Sequence, residues 1–168
     1  MNKLILLDGP YGVGKTAAAL CICAKSDGKY VCIDPDEYFN NNVKRYGLRG
    51  GPIPNNTLIK EDIKKEVEKQ IKNKNVIIPL ALNTREYAEE WTKLFRDIAD
   101  VKRVILYASK KILVNRIENA KGRNKELALN SLDANLKYYD GITEGAFGID
   151  TSKLDVEEVA NKILELVE

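Results

Sequence analysis

Apolar runs of strand length alternate with helical-period stretches along the whole chain. Leu4-Ile5-Leu6-Leu7 is unbroken in its apolar character, as expected of a strand covered on both faces. A helix from about Lys15 to Ala24 follows, apolar all round and so expected to be buried on several sides. After the turn Ser26-Asp27-Gly28-Lys29, Tyr30-Val31-Cys32-Ile33 reads as a second strand ending at Asp34-Pro35-Asp36. Ile59, Ile63, Val67 and Ile71 recur at helical spacing, and Glu61/Lys65 and Glu68/Lys72 are set for i,i+4 pairs on the solvated face. Val76 to Leu82 is a third strand, and Tyr87, Trp91, Leu94, Phe95 and Ile98 stripe a helix. Arg103 to Tyr107 is a fourth strand, after which Ser109 is placed to cap a helix carrying Ile112, Leu113, Arg116 and Ile117. Gly122 breaks that helix, and a second one with Leu129, Leu132, Leu136 and Tyr139 follows. Ala146 to Ile149 makes a short fifth strand. Asp155-Val156-Glu157-Glu158 has capping-box spacing and opens a last helix with Val156, Val159, Ala160, Ile163 and Val167 on one face.

Strands alternating with helices predict an α/β three-layer sandwich around a five-stranded parallel sheet, one domain over residues 1–168. One stretch resists the pattern. From Tyr38 to Thr57, asparagine, glycine and proline accumulate around Gly50-Gly51-Pro52-Ile53-Pro54, which predicts an irregular loop. Long loops inside compact domains tend to be functional.

The junction of the first strand and first helix carries the chemistry. Gly9-Pro10-Tyr11-Gly12-Val13-Gly14-Lys15-Thr16 fits G-x-x-x-x-G-K-[ST], with a buried strand before it and a helix start after it. Such a loop curls so that successive N–H groups face phosphate oxygens, and the helix N-terminus adds partial positive charge. Gly9, Gly12, Val13, Gly14, Lys15, Thr16 and Ala17 are the expected nucleotide-binding residues. Lys15 would reach the β- and γ-phosphates, and the Thr16 hydroxyl would ligate Mg²⁺.

Composition narrows the rest. A net charge of +2 with 31% charged residues implies neither nucleic acid nor a membrane surface as partner. No apolar run has spanning length, and no signal peptide is expected, because the first apolar stretch runs straight into the loop. Cys21, Cys23 and Cys32 fall on segments expected to be buried and lack zinc spacing, as in a reduced, cytoplasmic protein. The chain contains no histidine, so acid–base chemistry falls to carboxylates, lysine, tyrosine or cysteine.

The acids and cations outside the loop separate classes of phosphate chemistry. Thr92-Lys93-Leu94-Phe95 lacks the Asp of a guanine-reading element. The third strand ends in Asn83-Thr84, with no acid until Glu86. Asp34 and Asp36 stand at the end of the second strand instead, where one carboxylate can take the proton of a substrate hydroxyl and the other can grip the substrate or a metal-bound water. The plainer reading of Asp34-Pro35-Asp36 is turn chemistry. Between positions 110 and 125, Lys110, Lys111, Arg116, Lys121, Arg123 and Lys125 are opposed by Glu118 alone. A break at Gly122 makes this a candidate lid over residues 116–126.

This order of features resembles small P-loop nucleotide and small-molecule kinases such as the adenylate, shikimate and chloramphenicol kinases. It is more closely similar to the bacterial tunicamycin-resistance proteins. The matching segments are Asp8 to Thr16, Asp34-Pro35, Ile78-Pro79-Leu80 with Glu86-Tyr87, Ala108-Ser109-Lys110 with Leu113 and Arg116, and Asp150-Thr151 running into Val156 to Ile163. The resemblance implies strand order 2-3-1-4-5, Mg·ATP binding, Arg116 as a lid arginine on the phosphates, and Asp34 and Asp36 at substrate and metal-linked water. The chain departs from the pattern at Ala81 and at Glu118-Asn119-Ala120, where a threonine and further arginines are usual. The expectation is therefore γ-phosphoryl transfer from ATP to a hydroxyl of a small-molecule acceptor. Lys15, Asp34, Arg116 and Arg123 would act at the transfer, Thr16 and Asp34 at Mg²⁺, and Asp36, Arg45 and Arg49 at the acceptor. The alternative is ATP-dependent sequestration of an antibiotic without modification.

Overall fold

A computed structural model of the chain describes residues 1–46, 56–121, 125–140 and 147–168, the side chains of residues 42 and 44–46 excepted. The elements are β1 (Lys3–Asp8), α1 (Lys15–Lys25), β2 (Tyr30–Cys32), α2 (Pro35–Tyr46), α3 (Thr57–Gln70) and β3 (Asn75–Pro79). They continue with α4 (Arg85–Phe95), β4 (Asp100–Tyr107), α5 (Lys110–Asn119), α6 (Lys125–Tyr139), β5 (Phe147–Asp150) and α7 (Val156–Val167). The five strands form one parallel sheet in the order β2-β3-β1-β4-β5, as the resemblance implied.

The apolar runs of β1 and β3 each feed two cores. On β1, Ile5 and Leu7 join Ile77, Val104 and Leu106 beneath α1, α5, α6 and α7. Leu4 and Leu6 join Val76 and Ile78 on the other face, beneath α3 and α4. Side chains alternate across a strand, so only a continuous apolar run fills both layers. The stripe Ile59, Ile63 and Val67 of α3 and Trp91 and Phe95 of α4 are fully buried in the second core. The chain leaves β1 toward β2 on one side and later passes to β4 on the other. The carboxyl end of β1 is thus the switch point of the sheet, where open α/β sheets place their ligands.

Several sequence expectations shift. The largest concerns residues 38–57. Tyr38 to Tyr46 belongs to α2, not to an irregular loop, and Thr57 already opens α3. Pro35 occupies the first helical position, where its missing N–H costs nothing. Asp36 and Glu37 lie in the positive first turn, and Tyr38 and Phe39 pack against the second core. Those gains outweigh the weak helix propensity of Asn40 to Asn42. Helix α1 is buried on one side only, through Ala18, Ala19 and Ile22, with Leu20 exposed. Its cysteines, like Cys32 on β2, are half-buried and unpaired. β2 stops at Cys32 and β3 at Pro79, three residues short of Leu82. The ion pairs on α3 are Lys64–Glu68 and Glu66–Lys69 in place of Glu61/Lys65 and Glu68/Lys72. Ser109 sits at the N-cap of α5 but makes no side-chain cap bond. Helix α6 buries Ala128, Leu132, Asn135 and Tyr139, with Leu129 and Leu136 partly buried against the first core, so Asn135 joins the expected stripe. Its Oδ1 is the one buried side-chain oxygen without a hydrogen bond among the described residues. The Gly122 break and the first residue of the expected fifth strand, Ala146, lie outside the described residues.

Candidate active site

The loop from Gly9 to Gly14 joins the central strand to α1 and is shaped by close backbone approach. Gly9 has φ +144°, and a Cβ there would stand 2.4 Å from the Leu106 carbonyl oxygen of β4. No other residue fits against that strand. Val13 is buried and anchors the loop in the first core. Gly14, at φ +101°, is the N-cap of α1 and supplies no side-chain cap, and the first turn of the helix contains no acid. Lys15 folds back across the loop, its Nζ donating to the carbonyls of Gly9 (2.7 Å) and Pro10 (3.0 Å).

Above this loop opens a cleft of about 360 Å³, in the range of small-ligand sites. Gly12, Gly14, Lys15, Thr16 and Ala17 line it from the loop and α1, and Asp36 lines it from α2. Pro79, Leu80, Ala81 and Asn83 line it beyond β3, and Arg116, Ile117 and Ala120 from α5. The cleft therefore pairs cations and hydroxyl on one part of its wall with aliphatic surface on another. Among the described residues no cluster of three or more Asp, Glu or Cys side chains is placed to cage a metal. Among the oxygen-bearing side chains that line the cleft are Thr16 and Asp36. That donor set fits Mg²⁺, which typically takes one or two protein oxygens and completes its shell with phosphates and water.

The two strand-end carboxylates do different things. Asp36 is exposed and faces the cleft. The Asp34 carboxylate accepts the Asp36 N–H at 3.0 Å, and its carbonyl accepts the Glu37 N–H at 3.1 Å, which fixes the start of α2 as an N-cap does. Arg116 lines the cleft while its Nη1 and Nη2 donate to the hydroxyl (3.0 Å) and carbonyl (2.8 Å) of Thr151. Arg49 and Arg123 lie outside the described residues, as does the side chain of Arg45.

Sequence reasoning missed the group directly beneath the loop. Asp8, named above only as the first residue of a matching segment, is fully buried at the end of β1. Its Oδ1 accepts from the backbone N–H of Gly9 (2.7 Å) and Leu82 (3.0 Å) and from the Tyr139 hydroxyl (2.6 Å). Its Oδ2 accepts from Arg103 Nε (3.2 Å) and Nη2 (2.6 Å), and Arg103 also donates to the Tyr138 hydroxyl (2.9 Å). One carboxylate thus ties together the first residue of the phosphate loop, the segment beyond β3, β4 and the end of α6. Burial alone would lower the Arg103 pKa, but the Asp8 charge and its hydrogen bonds raise it. Burial, reinforced by Asp8, pushes the Tyr139 hydroxyl far above its ordinary value, so it stays a donor. The missed signal was present: Asp8 closes the apolar run of β1 and Arg103 opens the apolar run Val104 to Leu106 of β4, and opposite charges at such positions call for each other, since neither is buried alone. Asn83 was also passed over. It holds φ +61°, a conformation asparagine tolerates, and lies 3.4 Å from the Tyr139 hydroxyl.

No protein-family model matches the chain, and no curated protein matches its sequence. Solved structures do match. The tunicamycin resistance protein of Deinococcus radiodurans superimposes with a TM-score of 0.74 at 18% identity, covering 99% of this chain and 96% of that one. A sugar kinase from Janibacter sp. HTCC2649 gives 0.69 at 13% identity, covering 98% and 94%. A gluconokinase from Sinorhizobium meliloti 1021 gives 0.68 at 17%, covering 97% and 90%. The chain has the fold of small P-loop kinases over nearly its whole length. At these identities the likeness is one of fold.

Proposed function

We propose, from a fold shared with small P-loop kinases, that this chain transfers the γ-phosphoryl group of ATP to a hydroxyl of a small-molecule acceptor. The observation that carries the proposal is convergence: Lys15, Thr16, Asp36 and Arg116, from three separate helices, line one cleft at the switch point of the sheet. In-line phosphoryl transfer needs little covalent work from a protein; it needs placement and positive charge.

The loop N–H groups and the N-terminus of α1 bind the phosphates. Lys15 exchanges its two carbonyl partners for phosphate oxygens, an exchange favoured because a charge-assisted bond to an anion is the stronger one. The Thr16 hydroxyl holds Mg²⁺, which when bound screens the phosphate charge. Asp36 takes the acceptor's hydroxyl proton, being the carboxylate that faces the cleft, and Asp34 sets the start of α2 on which Asp36 rides and holds metal-linked water. Arg116 neutralises charge developing on the transferred group, with Arg123 in support. Arg45 and Arg49 contact the acceptor.

Measuring ADP release with Mg·ATP across nucleosides, sugars, sugar acids and nucleoside-like antibiotics tests this. One class is expected to raise turnover well above background, and Asp36→Asn to remove that increase. If no acceptor raises turnover and Asp36→Asn changes nothing, the kinase reading is lost. A second reading, sequestration of a nucleoside-like antibiotic with ATP and without modification, is favoured by the likeness to the tunicamycin resistance protein and by Ala120 lining the cleft at one of the positions where further lid arginines are usual. Mass spectrometry of tunicamycin recovered after incubation with Mg·ATP separates the two: a gain of one phosphate excludes pure sequestration.

A further inference from the structure

We infer that Thr151 is the positioning residue for Arg116, holding its guanidinium on the wall of the cleft before any phosphate arrives. This rests on the reading of the cleft as a nucleotide site. Thr151 directly follows β5 and is 1% exposed, an unusual depth for a hydroxyl residue in a connecting turn. Its place is fixed from every side. Its N–H donates to the Tyr107 carbonyl at 2.9 Å, and its carbonyl accepts from Leu154 N–H at 3.3 Å. The neighbouring Asp150 carboxylate accepts the Ser152 N–H at 2.9 Å. The turn therefore has one conformation, and the two oxygens of Thr151 are held still.

The direction of the hydrogen bonds follows from the groups involved. The Thr151 hydroxyl has one proton, which it gives to the Tyr107 carbonyl at 3.2 Å. Its oxygen is then left as an acceptor, and Arg116 Nη1 donates to it at 3.0 Å, while Nη2 donates to the Thr151 carbonyl at 2.8 Å. Two bonds from the two ends of a planar fork to one immobile residue select a single arginine rotamer. The guanidinium keeps further N–H groups for a ligand. An arginine on the surface of a helix ordinarily loses much rotamer freedom when it binds an anion; here the loss is taken on folding, which is what preorganisation contributes to affinity. The plainer role for Thr151 is a structural latch between α5 and the β5–α7 turn. The two roles differ in one respect: a latch matters whether or not residue 116 is an arginine.

Equilibrium binding of ATP to the full chain separates them, with unfolding midpoints recorded for each protein. The set is wild type, Thr151→Val, Thr151→Ser, Arg116→Ala and the Thr151→Val/Arg116→Ala double variant. Valine keeps the shape, and Tyr107 retains the Thr151 N–H as a donor. Thr151→Val is expected to weaken ATP binding about fivefold, the size of the rotamer freedom that a less firmly held Arg116 gives up on binding. Thr151→Ser is expected to bind like wild type, and Thr151→Val to add no loss in the Arg116→Ala background. Equal losses in both backgrounds, or a serine variant as weak as the valine one, overturn the inference alone. Wild-type protein that fails to bind ATP overturns the nucleotide reading and this inference with it.

Discussion

Helices α1 and α7 pack side by side, and their ends are built on opposite principles. Lys25 in the last turn of α1 pairs with Glu157 in the first turn of α7, so the C-terminal end of one helix meets the N-terminal end of the other. Helix α7 opens with a complete capping box: Asp155 Oδ1 accepts the Glu158 N–H and Glu158 Oε2 accepts the Asp155 N–H, both at 2.8 Å. Glu157 and Glu158 add negative charge where the helix dipole is positive. Helix α1 opens with Gly14, has no side-chain cap and no acid in its first turn, and places Lys15 at its first position. By the rules of helix stability a first turn with a lysine and without an acid is unfavourable, and Gly14, though tolerated as an N-cap, leaves the first N–H groups without a side-chain acceptor. The chain encodes a self-finished N-terminus at α7, and the open one at α1 is the end that the proposed nucleotide site uses. A helix end can be finished by its own carboxylates or kept for a ligand, not both.

The sharpest way to break this comparison is Lys15→Ala. Removing a cation from a helix N-terminus should leave the urea midpoint unchanged or slightly raised. Phosphoryl transfer should fall roughly a thousandfold, about 4 kcal/mol of transition-state stabilisation. A large loss of stability with ATP binding intact would mean that Lys15 merely ties the loop through Gly9 and Pro10.

Next in size is Asp8→Asn, which probes the support of the loop instead of its ligand. The change leaves Arg103 buried beside a neutral amide and should cost about 3 kcal/mol of stability, measured by urea unfolding. The substitution Arg103→Lys keeps a charge but loses the two-pronged geometry and should cost less. If Asp8→Asn leaves stability untouched while ATP affinity collapses, the carboxylate belongs to the site and not to its foundation.

How much of this was legible in the sequence follows from distance along the chain. The phosphate loop is a local pattern: eight consecutive residues, one strand before and one helix after. The strands and both cores follow from apolar runs and helical stripes in the same way, whereas the strand order came from the resemblance. Helix α2 was hidden because its interior is weak in propensity and its support is tertiary, through Tyr38 and Phe39 on the second core. The Asp8 network was hidden because its partners lie 95 and 131 residues away. Arg116 was singled out on its helix and took its phosphate role from the resemblance, but its hold on Thr151 required β5 to be placed beside β4. What sequence alone shows well is what a single element decides; the joints between elements are where it falls short.

Gly14→Ala tests the uncapped end itself. The Cβ would meet nothing within 4 Å, so the effect is one of backbone conformation and not of crowding. Holding an L-residue at φ +101° should cost about 1–2 kcal/mol and should weaken ATP binding as the loop relaxes. If thermal unfolding is unchanged, alanine has found another conformation, and the loop is softer than its geometry suggests.

The smallest effect is the control at the other helix. Asp155→Ala removes the side chain that accepts from Glu158 and should cost about 1 kcal/mol, with ATP affinity unchanged because α7 does not line the cleft. Asp155→Asn, which keeps an oxygen to accept the Glu158 N–H, should recover most of the loss. The value of this measurement lies in its pairing with Lys15→Ala. One helix end should lose stability and keep binding; its neighbour should keep stability and lose binding. If Asp155→Ala also weakens ATP binding, the strain passes through the Thr151 to Leu154 turn to Arg116. The two helix ends would then be coupled through the one residue that touches both the α7 approach and the guanidinium.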